Sequence, residues 1–286
     1  LDPSFGKGRP VGEAIVGMMF PDGDNARIPV VAIAGTNGKT TTSRLIGRIF
    51  ESNDLRVGMT STDGVYIEGR RIDDGDCSSP RSARNVLLHP DVDAAVFETA
   101  RGGVLRDGPG FDVCAVAVIT NIGLGDHLGL NFITTVDELA VVKRVIVENV
   151  APSGTAVLNA SDPVVAAMAH HCHGHIIYFS QDRMNPVLAT HRAQGRRVVC
   201  GEGRKKHRIP LANIPLTRNG TIGFQVENAM AATATGWALG YSWEVIEHAL
   251  ASFVSDAQTA PGRFNVFDYK GATLIADYGH NPDAIQ

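Results

Sequence analysis

One segment constrains the fold of this chain more than any other, the glycine-rich loop GTNGKTTT at residues 35–42. It follows the apolar run Ile28–Ala34 and precedes an amphipathic stretch, Ser43–Ser52. A buried strand, a glycine-rich loop with Lys-Thr and a helix form a phosphate-binding arrangement, because loop N–H groups and the helix N-terminus face the anion. We expect Lys39 to reach the outer phosphates and Thr40 to bind Mg²⁺. The segment therefore predicts an ATP site.

The spacing of this loop departs from the general P-loop, in which the first glycine lies five positions before the second. Here Ile33 occupies that position, and the earlier glycine, Gly35, lies three residues before Gly38. The Lys-Thr end is intact, so we expect the phosphate and metal chemistry to be retained. The alternative is a glycine turn that only caps a helix and leaves Lys39 in solvent. The strand–loop–helix context favours the phosphate site.

Bulk properties place the chain among ordinary globular proteins. Its 286 residues allow one large domain or two smaller ones. A net charge of −4 gives no reason to expect nucleic acid as the main partner. The four cysteines form no CxxC pair, which predicts reduced thiols in a cytoplasmic protein, and no apolar run reaches membrane-spanning length. The first residue is not Met and the last residues follow soon after a strand-like run, so we expect a piece of a longer polypeptide.

Apolar runs alternate with helical patterns along the chain. The predicted strands are Val30–Ala34, Ala94–Glu98, Val113–Thr120, Ala156–Asn159 and Ile176–Phe179. The predicted helices are Thr40–Ser52, Val136–Val150, Val164–His171, Val226–Leu239 and Trp243–Val254. Strands that are apolar on both alternations favour a mainly parallel sheet covered on both faces, a doubly wound α/β domain. Its ligand should lie at the carboxyl ends of the strands, where the P-loop lies.

We divide the chain into a lead-in segment at 1–27, an ATP-binding domain at 28–258 and the truncated start of a second, Rossmann-like α/β domain at 259–286. The last part contains the strand-like runs Phe264–Tyr269 and Thr273–Asp277. Within the second part, residues from about 190 to 223 are rich in arginine, lysine and short β-like pieces. The composition of this basic segment predicts a solvated hairpin lobe. The alternative is a surface that binds an acidic substrate.

Three further residues could carry chemistry. Glu98 ends an apolar strand and could hold Mg²⁺ with Thr40, or form a strand-end salt bridge instead. His127 follows another strand end and could bind a second metal or orient a substrate group, whereas a lone histidine is usually structural. Lys143 lies mid-helix between apolar neighbours, where composition alone predicts a lysine whose ammonium reaches solvent.

Taken together, these residues resemble the Mur ligase superfamily, which includes the folylpolyglutamate synthetases. The motifs that carry the resemblance are, in chain order, Gly35–Thr41, Glu98, Asn121–His127, Lys143, Asn159–Pro163, Glu227–Ala229, Pro261–Phe264 and Asp277–Pro282. Other motifs look like the C-terminal, Mur-ligase-like half of the cyanophycin synthetases, namely Gly8–Ala14, Thr62–Tyr66, Ser79–Arg84 and Glu98–Gly103.

The resemblance implies ATP and two Mg²⁺ ions as cofactors. It implies that Thr40 and Glu98 hold the first ion, that His127 helps to hold the second, and that Lys143 matches the lysine that many Mur ligases carry as a carbamate. The implied nucleotide-binding residues are Gly35, Thr36, Asn37, Gly38, Lys39, Thr40 and Thr41 for the phosphates, with Asn228 for adenine, Arg263 for the phosphates and Asp277 for ribose. The implied substrate residues are Ser79, Arg81, Arg84, Arg101 and His280.

The implied reaction is ATP-dependent isopeptide formation. The β-carboxylate of an aspartate in a polyaspartate or cyanophycin chain would become an acyl phosphate, with Lys39, His127 and Lys143 in catalytic roles, and the amine of arginine would displace the phosphate. Implied partners are an N-terminal ATP-grasp half of the same polypeptide and further copies in a homo-oligomer. Three alternatives remain open: a cell-wall or folylpolyglutamate type of ligase, a nucleotide-binding module without ligase chemistry, and a P-loop kinase or other NTPase.

Overall fold

The computed structural model describes residues 11–21, 24, 26–123, 129, 132–194, 198–200, 207–279 and 281–285. Within these residues, nine strands form one sheet. The strands are β1 Val30–Ala34, β2 Val57–Ser61, β3 Gly64–Ile67, β4 Arg70–Asp74, β5 Ala94–Glu98, β6 Cys114–Ile119, β7 Val150–Asn159, β8 His175–Ser180 and β9 Val198–Cys200. A separate antiparallel hairpin contains β10 Asn265–Tyr269 and β11 Ala272–Ala276.

The order of the strands in the sheet is β4-β3-β2-β5-β1-β6-β7-β8-β9. All neighbouring pairs from β2 to β9 in this order are parallel, whereas β3 pairs antiparallel with both β2 and β4. The chain leaves β1 toward β2 and β5 on one side and later builds β6 to β9 on the other. Polar residues that follow β1, β5 and β6 therefore meet at one edge of the sheet, at its topological switch point.

Helices cover both faces of the sheet. The α-helices of the described residues are α1 Gly12–Met19, α2 Lys39–Glu51, α3 Pro80–Leu87, α4 Arg101–Asp107, α5 Val136–Glu148, α6 Pro163–Ala167, α7 Pro186–Ala193, α8 Gly223–Ala238, α9 Trp243–Ser252 and α10 Pro282–Ile285. Of these, α1 has no buried residue. Short 3₁₀ helices span Met168–His171, Leu211–Asn213 and Pro215–Thr217. Within the described part of the chain, no helix is long and apolar enough to cross a membrane.

The central strand β1 shows why the sheet needs a cover on each face. Val30, Ala32 and Ala34 belong to an apolar cluster with α3, α5 and α6, whereas Val31 and Ile33 belong to a second cluster with α2, α8 and α9. All five side chains are buried. Because alternate residues of a strand point to opposite faces, such a run is stable only between two helical layers. The predicted doubly wound, mainly parallel α/β fold is confirmed.

Several elements differ from the sequence predictions. The predicted helix Val164–His171 divides into α6 and the 3₁₀ helix Met168–His171. The described part of the basic segment forms the end of α7, two 3₁₀ helices and β9, which pairs in parallel with β8 and so is not a hairpin strand. The domain boundaries at 27, 258 and 259 stay predictions.

Candidate nucleotide-binding site

The glycine-rich loop joins β1 to α2 in a conformation that only glycine adopts easily. Gly35 and Gly38 have φ values of +148° and +85°, and Gly38 is the N-cap of α2. A Cβ atom on Gly35 would lie 1.9 Å from Thr120 Oγ1, and one on Gly38 would lie 2.3 Å from Asn228 Oδ1. The loop is thus packed closely between the end of β6 and helix α8, with its backbone facing the N-terminus of α2.

Residues after β6 hold this loop through hydrogen bonds. The N–H of Thr36 donates to the carbonyl of Asn121 at 2.8 Å, and the N–H of Asn37 donates to Asn121 Oδ1 at 2.9 Å. The Asn37 carbonyl accepts from Thr120 Oγ1 at 2.7 Å, and Thr36 Oγ1 accepts from the N–H of Gly123 at 2.9 Å. The loop is therefore fixed before any nucleotide arrives, which lowers the entropic cost of binding.

Thr40 and Glu98 meet at the first turn of α2, as the sequence predicts for a metal pair. Thr40 Oγ1 donates to Glu98 Oε2 at 2.9 Å, and the N–H of Thr62 donates to the same oxygen at 3.3 Å. Glu98 is only 1% exposed, and its Oε1 has no hydrogen-bond partner among the described residues. A buried carboxylate oxygen without a partner is costly unless a cation compensates it.

This donor set fits Mg²⁺, which prefers carboxylate and hydroxyl oxygens and keeps positions for water and phosphate. The partners of Glu98 are a hydroxyl and a backbone N–H, so the alternative of a strand-end salt bridge is not what the described residues form. Those residues also contain no group of three or more His, Cys, Asp or Glu that could hold a metal. A cation at Thr40 and Glu98 would therefore need phosphate or water ligands to complete its shell.

Two lysines reach the loop from different elements. Lys39 Nζ donates to the carbonyl of Thr36 at 2.9 Å, across its own loop. Lys143 is 5% exposed, and its Nζ donates to the carbonyl of Gly35 at 2.7 Å. The interpretation of Lys143 as a solvent-reaching lysine is therefore wrong, because α5 packs against β1 and directs this side chain to the end of the strand. Its carbamate form stays a prediction.

Helix α8 brings a row of polar side chains to the other side of the loop. Asn228, predicted to contact adenine, accepts from Thr42 Oγ1 at 3.3 Å and donates to Gln225 Oε1 at 2.9 Å. Glu227 accepts from Gln181 Nε2 at 3.3 Å and from Asn159 Nδ2 at 3.5 Å. Burial raises the pKa of the Glu227 carboxyl above its ordinary value, more than these two hydrogen bonds lower it.

Gln225 was missed by the sequence reasoning, although a signal was available. It lies three residues before Asn228, so both occupy one face of α8. Gln225 also lines a cavity of about 180 Å³. Phe264 and the segments at residues 215–218 and 254–256 form other parts of its wall. The lining residues are Pro215, Leu216, Arg218, Ile222, Gln225, Val254, Ser255, Asp256, Phe264, Asn265, Val266 and Phe267. The lining mixes apolar side chains with polar ones, among them the amides of Gln225 and Asn265, and such a cavity could hold a planar base.

The segment after α9 returns to the loop. Arg263 Nη2 donates to Thr62 Oγ1 at 3.1 Å, and Thr62 Oγ1 lies 3.3 Å from Thr40 Oγ1. The Arg263 guanidinium also lies over the ring of Tyr278, 5.1 Å from its centroid. Thr62 thus links Arg263 to the Thr40–Glu98 pair, and from this position Arg263 could reach a phosphate. Asp277, predicted to bind ribose, is exposed.

Four of the predicted substrate residues lie on α3 and α4 or at the N-cap of α3, and one of them, Ser79, lines a cavity with Glu98. Ser79 is the N-cap of α3 and accepts from the N–H of Ser82 at 3.3 Å. Ser79 and Glu98 line one small cavity, together with Thr60, Ser78, Pro80, Ala83, Phe97, Thr99, Val104, Gly108 and Pro109. The arginines predicted to bind substrate are exposed or half-buried on the same two helices, at Arg81, Arg84 and Arg101. His127 and His280 lie outside the described residues.

This geometry defines a class: a doubly wound P-loop α/β domain whose phosphate loop, hydroxyl–carboxylate pair and converging arginine share one edge of the sheet. Within that class, the sequence profile of the Mur ligase middle domain matches residues 33–236. The chain belongs to the Mur ligase family. The resemblance predicted from the motifs is therefore confirmed.

Curated relatives add detail. The chain is 43% identical to the cyanophycin synthetase of Synechocystis sp., over 98% of the chain and 33% of that protein. It is 40% identical to the cyanophycin synthetase of Nostoc sp., over 99% of the chain and 32% of that protein. The chain thus spans about a third of the length of these curated relatives.

Solved structures agree on the fold. MurF from Acinetobacter baumannii matches with a TM-score of 0.64 and 24% identity, over 91% of this chain and 53% of that one. A pseudomurein peptide ligase type C from Methanothermus fervidus matches with a TM-score of 0.62 and 21% identity, over 91% of this chain and 56% of that one. At these identities the likeness concerns the fold alone.

Proposed function

We propose that this chain is the ATP-binding part of an ATP-dependent amide ligase. The observation that carries the proposal is the buried Thr40–Glu98 pair at the P-loop, with Glu98 Oε1 lacking a partner among the described residues. Such a pair is suited to hold Mg²⁺ against the phosphates of ATP, where the ion neutralises charge during phosphoryl transfer. Family membership supports the same reaction class.

In the proposed reaction, a carboxylate oxygen of the acceptor attacks the γ-phosphorus of ATP. The bond from that phosphorus to the β,γ-bridging oxygen breaks, and ADP and an acyl phosphate form. An amine then attacks the acyl carbon, phosphate leaves with the C–O bonding electrons, and the ammonium loses a proton to give the amide. Lys39 and Arg263 would stabilise the charge on the transferred group. The loop N–H groups and α2 would hold the phosphates in place.

For substrates, we propose the β-carboxylate of aspartate in a polyaspartate or cyanophycin chain as acceptor and arginine as the amine. Similarity to cyanophycin synthetases over nearly the whole chain supports this choice. The cavity shared by Ser79 and Glu98 is a candidate position for the reacting carboxylate. Arg81, Arg84 and Arg101 could bind neighbouring carboxylates of a polyanionic chain, since guanidinium groups pair with carboxylates through two hydrogen bonds.

The remaining finer assignments are proposals of the same kind. They are a second Mg²⁺ ion with His127 among its ligands, a carbamate on Lys143, ribose contacts from Asp277 and a substrate contact from His280. They also include an ATP-grasp half in the same polypeptide, a homo-oligomeric assembly and a cytoplasmic location. A cell-wall or folylpolyglutamate type of ligase is the second candidate, because structural likeness extends to both groups.

An amino-acid screen of ATP hydrolysis on the full-length protein tests the proposal. We expect phosphate release only with a polyaspartate-containing acceptor, arginine and Mg²⁺ present together, and loss of amide formation at this site in Lys39→Ala. Turnover with glutamate or diaminopimelate in place of arginine would contradict the substrate assignment. Phosphate transfer to a small molecule without amide formation would favour a kinase. Full amide formation by the Lys39→Ala variant would contradict the P-loop assignment.

A further inference from the structure

Arg44 is a buried cation for which the proposed chemistry has no use. It lies on α2, four residues after Thr40, and its side chain is only 8% exposed. Its Nη2 donates to Asp63 Oδ2 at 2.7 Å and to Tyr66 Oη at 3.1 Å, and its Nη1 donates to the carbonyl of Thr259 at 2.8 Å. The guanidinium carbon lies 4.8 Å from the centroid of the Tyr66 ring. One side chain thus joins α2 to two other segments of the chain.

The first of these segments is the turn between β2 and β3. Asp63 is held from two sides, by Arg44 and by the hydroxyl of Ser61. Its neighbour Thr62 contacts the metal pair directly, because its N–H donates to Glu98 Oε2 and its hydroxyl lies 3.3 Å from Thr40 Oγ1. Fixing Asp63 therefore fixes the residue that touches both predicted Mg²⁺ ligands.

The second segment is the connection that follows α9. Arg44 binds the carbonyl of Thr259, and four residues later Arg263 donates to Thr62 Oγ1. Arg44 and Arg263 thus hold adjacent residues of the same turn, and Arg44 also holds the segment that carries Arg263. The contacts close a ring from α2 through the turn to this connection and back to α2.

We propose that Arg44 is a positioning residue for the Mg²⁺–nucleotide site. By holding Asp63 and the Thr259 carbonyl together, it keeps Thr62 and Arg263 aligned with Thr40 and Glu98. The planar guanidinium donates in two fixed directions, which the single ammonium of a lysine cannot reproduce. Arg44 Nε is buried without a hydrogen-bond partner among the described residues, which costs free energy. The contacts of Nη1 and Nη2 therefore determine the position of the side chain. The inference rests on the proposed ATP site.

Arg44→Lys tests this proposal, with Arg48→Lys as the matched control. Arg48 lies one turn further along α2, is 39% exposed and pairs with Glu51 at 3.3 Å. In full-length protein, we expect Arg44→Lys to lower kcat about ten- to a hundred-fold and to raise the Mg²⁺ concentration needed for half-maximal binding of a fluorescent ATP analogue. Arg48→Lys should change both by less than about twofold, and both variants should melt cooperatively.

Asp63→Asn provides a second variant that keeps the size of the side chain. It should show the same rise in Mg²⁺ requirement, and its combination with Arg44→Lys should be no worse than Arg44→Lys alone, because the Arg44–Asp63 ion pair is already lost in Arg44→Lys. Equal behaviour of the two lysine variants, with Mg²⁺-dependent binding intact in the wild type, would overturn the positioning role alone. A wild type that binds no nucleotide in the presence of Mg²⁺ would overturn the proposed function and this inference with it.

Discussion

At the scale of single residues, Glu98 is central to the chemistry of the site, because its buried carboxylate has one hydroxyl and one backbone N–H as its partners among the described residues. We predict that Glu98→Gln lowers amide formation about a hundred-fold or more, since a metal ligand supplies several kcal/mol of charge stabilisation. The stability of the protein without Mg²⁺ should not fall, because an uncompensated buried charge is removed. Thermal melting with EDTA and with Mg²⁺-ATP measures both effects.

The exposed Glu13 on α1 offers a control for this substitution. Glu13→Gln should keep the rise in melting temperature that Mg²⁺-ATP produces in the wild type, whereas Glu98→Gln should abolish most of it. An unchanged Mg²⁺-ATP shift in Glu98→Gln would show that the carboxylate does not hold the ion.

Glu227 gives a prediction about pH. Burial raises the pKa of its carboxyl from the ordinary value of 4.5, so the folded state holds this proton more tightly than the unfolded state. The free energy of unfolding should therefore fall as pH rises from about 4.5 through the raised pKa. We predict that Glu227→Gln removes this fall, so that its stability advantage over wild type grows with pH and then levels off. Urea unfolding from pH 4 to 8 measures it, and a difference independent of pH would contradict the prediction.

At the scale of elements, α2 has one glycine at its N-cap that the site requires and one inside the helix that the structure does not require. Gly38 has a φ of +85° and no room for a Cβ atom, whereas a Cβ on Gly47 would meet its nearest neighbour, Val57 Cγ1, at 3.8 Å. We predict that Gly38→Ala costs about 1–3 kcal/mol of stability and weakens nucleotide binding. Gly47→Ala should be neutral or stabilise the helix by up to about 1 kcal/mol.

Urea unfolding and titration with a fluorescent ATP analogue measure both variants. The two substitutions are chemically identical, one at the N-cap and one inside the same helix, so a difference between them reports backbone conformation and space. Equal stability and equal binding would mean that the left-handed conformation of Gly38 is not needed.

The same elements show what the sequence can predict. β1 and α5 were predictable, because one is a continuous apolar run and the other begins with a capping box in which Thr135 and Glu138 satisfy each other's backbone N–H groups. β4, with the sequence RRIDD, was not predicted, because all five residues are exposed and carry no apolar alternation. α4 is short and contains two glycines, which weakens any helical pattern.

The residues of the site also differ in how far the sequence predicts them. Thr40 and Glu98 lie in local motifs, next to a strand end, so sequence reasoning found them. Thr62 contacts Thr40, and Arg44 contacts Asp63, the neighbour of Thr62. Both contacts join α2 to the β2–β3 turn between residues that are far apart in the sequence, and no pattern in the sequence signals them. Gln225 lies between these cases, because its spacing from Asn228 was visible but its partner was not.

At the scale of the whole molecule, two amides 244 residues apart join the P-loop to the C-terminal segment. Asn37 Nδ2 donates to Asn281 Oδ1 at 3.2 Å, and Asn281 Nδ2 donates to Asn37 Oδ1 at 2.9 Å. Asn281 is 3% exposed. This reciprocal pair ties the loop that would hold ATP to the segment that follows the β10–β11 hairpin, so the position of that segment and the state of the loop should be coupled.

A double-mutant cycle measures this coupling. We predict that Asn37→Ala and Asn281→Ala together cost about 1 kcal/mol less than the sum of their separate effects on the free energy of unfolding, because the reciprocal contact is lost only once. The cycle is needed because Asn281 Oδ1 also accepts from the N–H of Ala284 at 2.9 Å, so a single substitution removes two contacts. Asn281→Asp should retain part of the coupling, since a carboxylate accepts from Asn37 Nδ2 but cannot donate in return. Additive effects, equal to those found when Asn37→Ala is paired with the exposed Asn53→Ala, would mean that the P-loop and the C-terminal segment are energetically independent.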